Sequence, residues 1–436
     1  MGEAVRRNDY LKIALPAAAE GFFMVLLSSV DIIMVGFLGT AAIAAVSIFT
    51  QPRMMLLAVS RSVAATLTLL VARRYGAKEN AAIGRITGQT IFASGIILLI
   101  LHIIFFCYLT DLLLFMGAEE NYLSMALSYG NIALIGAFFT SIAAIMQGAI
   151  LGLGKSTIVL KANLAGNIIN VIANAVFIFG FNLGVVGAAL GTVVGTFYSL
   201  LLTINEVRRT EKIKIGRLLP DKNFAREFGG VFLSVFSEQG FERIGMVLYT
   251  KMVAGLGTSA YAIHAICMNF CDFYYSFAGG LGKASMVLAG HDHGAGNVIS
   301  WQRHKREGYR WGLIFSAAAF FLTLIFREEI FAIYSHDSEL LPLGSFIIAL
   351  VALASFPEAQ NLIAAGILRG SGKTKEVALY TLVSITIMRP IITAVFIYEL
   401  NWGLTGAWLA LLIDQGIRAT LATILVRFVG KNDAKK

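Results

Sequence analysis

The residues in this chain able to carry chemistry are charged side chains set inside long apolar runs. Asp31 lies in SSVDIIMVGFLG, near the end of an apolar segment that begins around Tyr10. Glu238 lies between Ser237 and Gln239, and Glu358 directly follows Pro357 in SFPEAQNLI. An ionised side chain in hydrocarbon costs roughly 2.5–3.5 kcal/mol on insertion scales, so such groups face water or a partner and commonly mark an ion or substrate path. A carboxylate half-withdrawn from water can change its charge by taking a proton. It can also ligate Na⁺, helped by backbone carbonyls that an interrupted helix leaves open. Pro357 is placed to interrupt one. Asp31, Glu238 and Glu358 are therefore the candidate coupling-ion or substrate residues, with Na⁺ a candidate ligand of Glu238 and Glu358.

A second set surrounds them. Asn163, Asn167, Asn170 and Asn174 recur at spacings of 4, 3 and 4, which puts four amides on one helix face. They line a cavity opposite Asp31, or they form interhelical hydrogen bonds worth about 0.6 kcal/mol each; both readings stay open. Asp272 stands beside Tyr274 and Tyr275, an acid among aromatics that suits an amphipathic cation; a salt bridge with Lys283 or Lys251 is the plainer reading. The role of Glu20 is open. Arg53, Arg61, Lys283 and Arg389 pair with Asp272, Asp414 or Glu238, or else the substrate is anionic or zwitterionic.

Other patterns carry less. GLGKS and GSGKT fail the GxxxxGK[ST] phosphate-loop spacing and follow no strand. His264, Cys267 and Cys271 share a helix face without a fourth ligand, which reads as packing rather than a metal site. His291, Asp292 and His293 read as solvated surface. No HExxH or Gly-x-Ser-x-Gly appears, so an enzyme is not expected, and no filter or charged ring suggests a channel.

The elements that must hold these residues are membrane helices. The chain of 436 residues is 57% hydrophobic and only 14% charged, with mean hydropathy +0.76, whereas soluble domains average about 25% charged. Apolar runs of about 20 residues recur throughout. They predict about twelve spans, near residues 10–35, 45–72, 86–108, 121–147, 158–180, 184–205, 227–253, 260–290, 309–332, 340–366, 376–398 and 404–428. Period-2 alternation is absent, so the spans are helices and the fold an all-α membrane protein. The first apolar segment lacks a cleavage site and reads as a retained span. Cys107, Cys267 and Cys271 all lie in apolar segments and suggest no disulfide framework.

The net charge of +9 is a topology signal rather than a sign of nucleic acid. Arg6, Arg7, Arg73, Arg74, Arg85, Lys155, Arg208, Arg209, Arg217, Arg303, Arg369, Lys435 and Lys436 fall on one set of connections. The alternate connections are neutral or acidic, with Asp111, Glu119, Asp337, Glu339 and Glu399. Positive-inside places both termini in the cytoplasm and Asp31 in the outer half of the bilayer.

The chain also repeats itself at a period of about 218. Leu38-Gly39-Thr40 matches Leu256-Gly257-Thr258, Glu20 matches Glu238, and Gly148, Gly152, Gly154 and Lys155 match Gly366, Gly370, Gly372 and Lys373. After one residue of slippage, NLGVVGAAL (182–190) matches NWGLTGAWL (401–409). The expected organisation is an N-lobe over 1–205, a basic cytoplasmic linker over 206–226 and a C-lobe over 227–436. Sites in such parallel repeats lie between the halves, near the midplane. The counterpart of Asp31 is Tyr249, so the halves are not chemically equivalent.

These pieces, in order, resemble the multidrug and toxic compound extrusion (MATE) family: VDIIMVGFLG at 30–39, GLGKST at 152–157, FIFGFNLGVVGAALGT at 177–192, SEQ at 237–239, LGTSAYAIHAI at 256–266, GILRGSGKT at 366–374 and GLTGAWLALLIDQGIRA at 403–419. The resemblance implies two six-helix lobes around a central cavity. It implies a secondary-active antiporter of the cell membrane that exports amphipathic, mostly cationic organic compounds in exchange for H⁺ or Na⁺. The lobes would rock between states. No cofactor beyond the coupling ion is implied, and the expected partners are small organic substrates and the bilayer, for a monomer. By the resemblance Asp31, Glu238 and Glu358 fall on acidic positions of the first, seventh and tenth spans. Asn174 stands where some proton-coupled members carry an aspartate. A lipid-linked-precursor flippase of the same superfamily is the alternative.

Overall fold

The computed structural model describes residues 9–216, 218–334 and 339–433; Arg6, Arg7, Arg217, Asp337, Lys435 and Lys436 lie outside them. The chain forms twelve long helical segments: α1 (Asp9–Gly36), α2 (Thr40–Gly76), α3 (Asn80–Cys107), α4 (Glu120–Gly152), α5 (Ser156–Gly180), α6 (Gly184–Arg209), α7 (Lys222–Ala254), α8 (Thr258–Gly294), α9 (Val298–Ile325), α10 (Leu341–Gly370), α11 (Thr374–Glu399) and α12 (Gly403–Asp433). Short helices Leu109–Phe115 and Arg327–Tyr334 precede α4 and α10. No strand occurs among the described residues. Ten of the long segments are long and apolar enough to cross a membrane. The other two, α7 and α8, have the length but carry Glu238, Glu242, Arg243 and Lys251, and Asp272 and Lys283, in their interiors.

The surface is apolar and the interior mixed, the reverse of a soluble protein. Ile96, Ile97, Ile100, Ile103 and Ile104 of α3 are exposed, while Thr87, Gln89 and Thr90 of the same helix are buried. This is the pattern of helices whose outer faces meet lipid.

One predicted span is displaced. The ninth was expected over 309–332, but α9 begins at Val298 and ends at Ile325. Asn297 caps it, its side-chain oxygen accepting from the Ser300 amide at 3.0 Å. The helix therefore starts among Arg303, Lys305 and Arg306, outside the apolar run by which a span is recognised. At the other end, hydropathy merged α9 with the separate helix Arg327–Tyr334.

The chain divides into two compact units. One is Phe22–Phe232; the other runs from Leu233 to the C-terminal end and includes the chain up to Gly21. Within each, the repeat is visible in the backbone. Gly39 and Gly257 have φ of 103° and 101°, Lys78 and Gly296 61° and 64°, and Gly154 and Gly372 80° and 89°. Asn182 and Asn401 follow at 54° and 57°, now 219 residues apart. The extra residue enters in α11. Both α5 and α11 end in wide π-type turns, Val176–Gly180 and Val395–Glu399, but α11 carries a second such stretch at Leu382–Met388. A π-type turn holds one more residue than an α-turn, so this stretch absorbs the slippage.

The repeated glycines have a packing role. A Cβ on Gly148 or Gly152 would sit 2.6 Å from the Ala64 carbonyl and 2.7 Å from the Thr68 carbonyl of α2. One on Gly370 would sit 2.6 Å from the Met286 carbonyl of α8. Each unit thus packs two helices backbone to backbone, the small-residue contact that membrane helices favour.

Candidate functional site

In the unit Phe22–Phe232, Asp31 is positioned by the last third of α1. Its Oδ1 accepts a hydrogen bond from Asn174 Nδ2 of α5 at 3.0 Å. Asn174 is 1% exposed and Asp31 half-buried, and the amide oxygen of Asn174 has no hydrogen-bond partner among the described residues. Arg53 of α2 is the cation whose charge Asp31 feels, and the buried Tyr129 of α4 lies in the field of both.

Helix α5 comes this close because α6 yields its face. Gly187, Gly191 and Gly195 are spaced one helical turn apart. A Cβ on Gly191 would strike the backbone nitrogen of Asn174 at 2.8 Å, and one on Gly195 the Gly166 carbonyl at 2.6 Å. The asparagine ladder spreads along the contact. Asn163 and Gln147 of α4 exchange amide hydrogen bonds at 2.7 and 3.2 Å, and Ser199 donates to Asn163 at 3.1 Å. Asn170 donates to Thr192 at 3.4 Å. Interhelical bonding thus occupies Asn163 and Asn170, Asn174 serves Asp31, and Asn167 is half-buried on the same face.

The other unit distributes its carboxylates differently. Glu238 of α7 receives both Nε and a terminal nitrogen of Arg369 from α10, the former at 3.2 Å. Its repeat counterpart Glu20 pairs with Lys283 of α8 at 3.1 Å. Lys283 therefore neutralises Glu20, not Asp272. Asp272 is exposed, and the charge it feels is that of Arg243 on α7. Arg389 does pair with Asp414, through Nε at 3.0 Å and a terminal nitrogen at 2.5 Å. That aspartate is fully buried and also receives the Ser384 hydroxyl.

Glu358 of α10 is 5% exposed and forms no hydrogen bond or ion pair among the described residues. It sits in the field of Arg418 and Arg389, with Asp272 and Glu242 as the nearby acids. No group of three or more His, Cys, Asp or Glu able to hold a metal occurs among the described residues.

Sequence reasoning missed two features. Arg418 falls one turn after Asp414 in LALLIDQGIRA, a charged i,i+4 pair inside an apolar run, and that spacing was a usable signal. Asp292 was read as solvated, yet it is 6% exposed and contacts His304 Nδ1 at 2.7 Å. Its partner is twelve residues away across a turn, which periodicity does not reveal. His264 is buried among the rings of Tyr249, Tyr261 and Trp408, which agrees with a packing role.

Comparison with known proteins adds an independent line. The family model described as MatE matches residues 16–176 and again 235–395. The chain is 25% identical over 426 residues to a probable multidrug resistance protein NorM of Thermotoga maritima, covering 95% of this chain and 91% of the relative. It is 22% identical to the multidrug resistance protein MdtK of Yersinia enterocolitica, covering 98% and 96%. Among solved structures, an outward-facing multidrug resistance MATE family transporter of the MOP superfamily superposes with a TM-score of 0.90 at 18% identity, covering 98% and 96%. A MOP superfamily transporter from Pyrococcus furiosus superposes at 0.91, also at 18% identity, covering 98% and 96%.

Proposed function

The chain belongs to the MatE family of membrane transporters, and on that premise we propose that it is a secondary-active exporter of amphipathic, cationic organic compounds driven by inward movement of H⁺ or Na⁺. The observation that carries the reading is the Asp31–Asn174 pair. A carboxylate near the end of a membrane helix receives one amide hydrogen bond, stays half-exposed, and has no cation hydrogen-bonded to it among the described residues.

The amide suits a group that changes charge. Asn174 Nδ2 donates to the ionised carboxylate, and its unpartnered oxygen can accept from the protonated acid after the amide rotates. An aspartate at 174 would instead share one proton with Asp31. In the ionised state Asp31 attracts a cationic substrate; a proton or Na⁺ then removes that attraction and substrate leaves.

Glu358 is the second exchangeable carboxylate. The double contact from Arg369 makes Glu238 a support in this conformation, and Na⁺ could reach it only by displacing that guanidinium. The basic connections support cytoplasmic termini, with Asp31 in the outer half. The repeat of about 218 residues supports lobes over 1–205 and 227–436 joined by 206–226.

The test is efflux of a cationic dye from inverted vesicles with a proton or a sodium gradient imposed separately. Efflux driven by one of them is expected. Lipid scrambling in liposomes without dye transport would instead identify a flippase.

A further inference from the structure

A buried cluster in the Leu233–Lys436 segment is not absorbed by that reading. Asp414 is shared by two guanidinium groups. Arg389 makes two hydrogen bonds to it and also reaches Met246 Sδ at 2.9 Å. Arg418 is held differently. Its Nε lies 3.4 Å from Asp414 Oδ2 without the geometry of a hydrogen bond, and this buried atom has no acceptor among the described residues. Arg418 is 6% exposed, Arg389 1% and Asp414 fully buried.

Two cations against one carboxylate is an unfavourable sum at buried positions, because a buried charge without a counter-charge is costly. Two acids bear on that second arginine: half-buried Glu242 of α7, whose charge acts on Arg418 ahead of that of Glu358, and Glu358, which is 5% exposed and has no hydrogen-bond or ion-pair partner among the described residues. Arg418 is the cation that acts on Glu358 most strongly. The other groups facing Glu358 are Arg389 of α11, Glu242 of α7, and Cys271, Asp272 and Tyr275 of α8. Counting only the members of this cluster that are less than a tenth exposed, Arg389 and Arg418 balance Asp414 and Glu358 when Glu358 is ionised. With a proton or Na⁺ on Glu358, one positive charge is left over.

We propose that Arg418 is a tethered counter-cation for Glu358, loosely anchored on Asp414, which stands in for the coupling cation in the ion-free state and is displaced when that cation arrives. The geometry fits the role: each of the three guanidinium nitrogens of Arg389 makes a hydrogen bond, while Arg418 keeps a buried Nε without an acceptor among the described residues. The arrangement would prevent Glu358 from being buried unneutralised while no ion is bound. It would also set how much H⁺ or Na⁺ is needed to start a cycle. This rests on the reading of Glu358 as an exchangeable carboxylate.

The test uses purified full-length protein in liposomes and measures the dependence of dye export on the driving cation. Arg418→Met removes the charge and keeps the length. Glu358 then loses its internal competitor, so apparent affinity for the driving cation rises roughly tenfold. For protons, the midpoint of the pH profile moves to higher pH; for Na⁺, half-saturation moves to lower concentration. Arg418→Lys should restore the wild-type dependence. In Arg418→Met/Glu358→Gln the shift should vanish, because the two act through each other.

A fall in melting temperature with unchanged ion dependence would overturn the proposal and leave Arg418 a structural residue. If the Met variant is not recovered folded, Arg418→Gln is read the same way. Retention of full ion coupling by Glu358→Gln alone would instead overturn the role of Glu358 on which the proposal rests.

Discussion

At the residue scale, the carboxylates of this chain divide into those that meet a cation and those that do not. Glu238, Glu20 and Asp414 each meet a cation at hydrogen-bonding distance. Asp31 meets an amide, and Glu358 meets no hydrogen-bond partner among the described residues. Asn174→Asp places a second carboxyl against Asp31. Like charges disfavour joint ionisation, so one proton is retained to higher pH, and the pH profile of proton-driven export should move upward. An unchanged profile would detach Asn174 from the switch. Arg389→Ala leaves Asp414 buried without the cation hydrogen-bonded to it, and should lower stability by about 3–5 kcal/mol, read from denaturation in detergent. The types and spacings of Asp31, Glu358 and the asparagines were legible because polar residues in apolar runs are few. Which of them pair was not, because the Glu20–Lys283 contact joins residues 263 positions apart. Nothing local in either sequence signals the other.

At the element scale, the candidate sites depend on helices brought abnormally close. Gly166, Gly191 and Gly195 clear the space that puts the amides of α5 against α6. Gly195→Val should therefore cost about 1–3 kcal/mol by overpacking. It should also weaken export beyond its effect on folded yield, since it tilts the helix that carries Asn174. The second π-type stretch, Leu382–Met388, sets the direction of Arg389, the residue that follows it. Deleting one residue there turns Arg389 by about 100°, away from Asp414. Folded yield, measured by size exclusion, should collapse, whereas deletion of Gly216, which is exposed and has open space around its Cα, should be tolerated. The sequence showed this feature only as one residue of slippage in the repeat, which names an insertion without locating it. The existence of the twelve long helices was legible; the short helices Leu109–Phe115 and Arg327–Tyr334 were not, nor was the start of α9, because capping by Asn297 and the charged first turns lie outside the hydropathy signal.

At the scale of the whole molecule, the repeat gives two units with the same backbone and different chemistry. Turn geometry is preserved to within a few degrees at Gly39 and Gly257 or Asn182 and Asn401. The charges are not: Asp31 is answered by Tyr249, and the pair Asp414 and Arg418 by Gly195 and Ser199. The same backbone therefore supports an amide-bonded carboxylate in one unit and an arginine-rich cluster in the other. Such asymmetry predicts that substitutions at Asp31 and Glu358 fail differently. Glu358→Gln should alter the ion dependence of export, whereas Asp31→Asn should remove export driven by the gradient altogether. The direct measurement is dye efflux from liposomes holding wild-type or Asp31→Asn protein at equal folded amounts, under the proton or sodium gradient that drives the wild type. The account predicts normal insertion and no gradient-driven efflux by Asp31→Asn; efflux at the wild-type rate would contradict it.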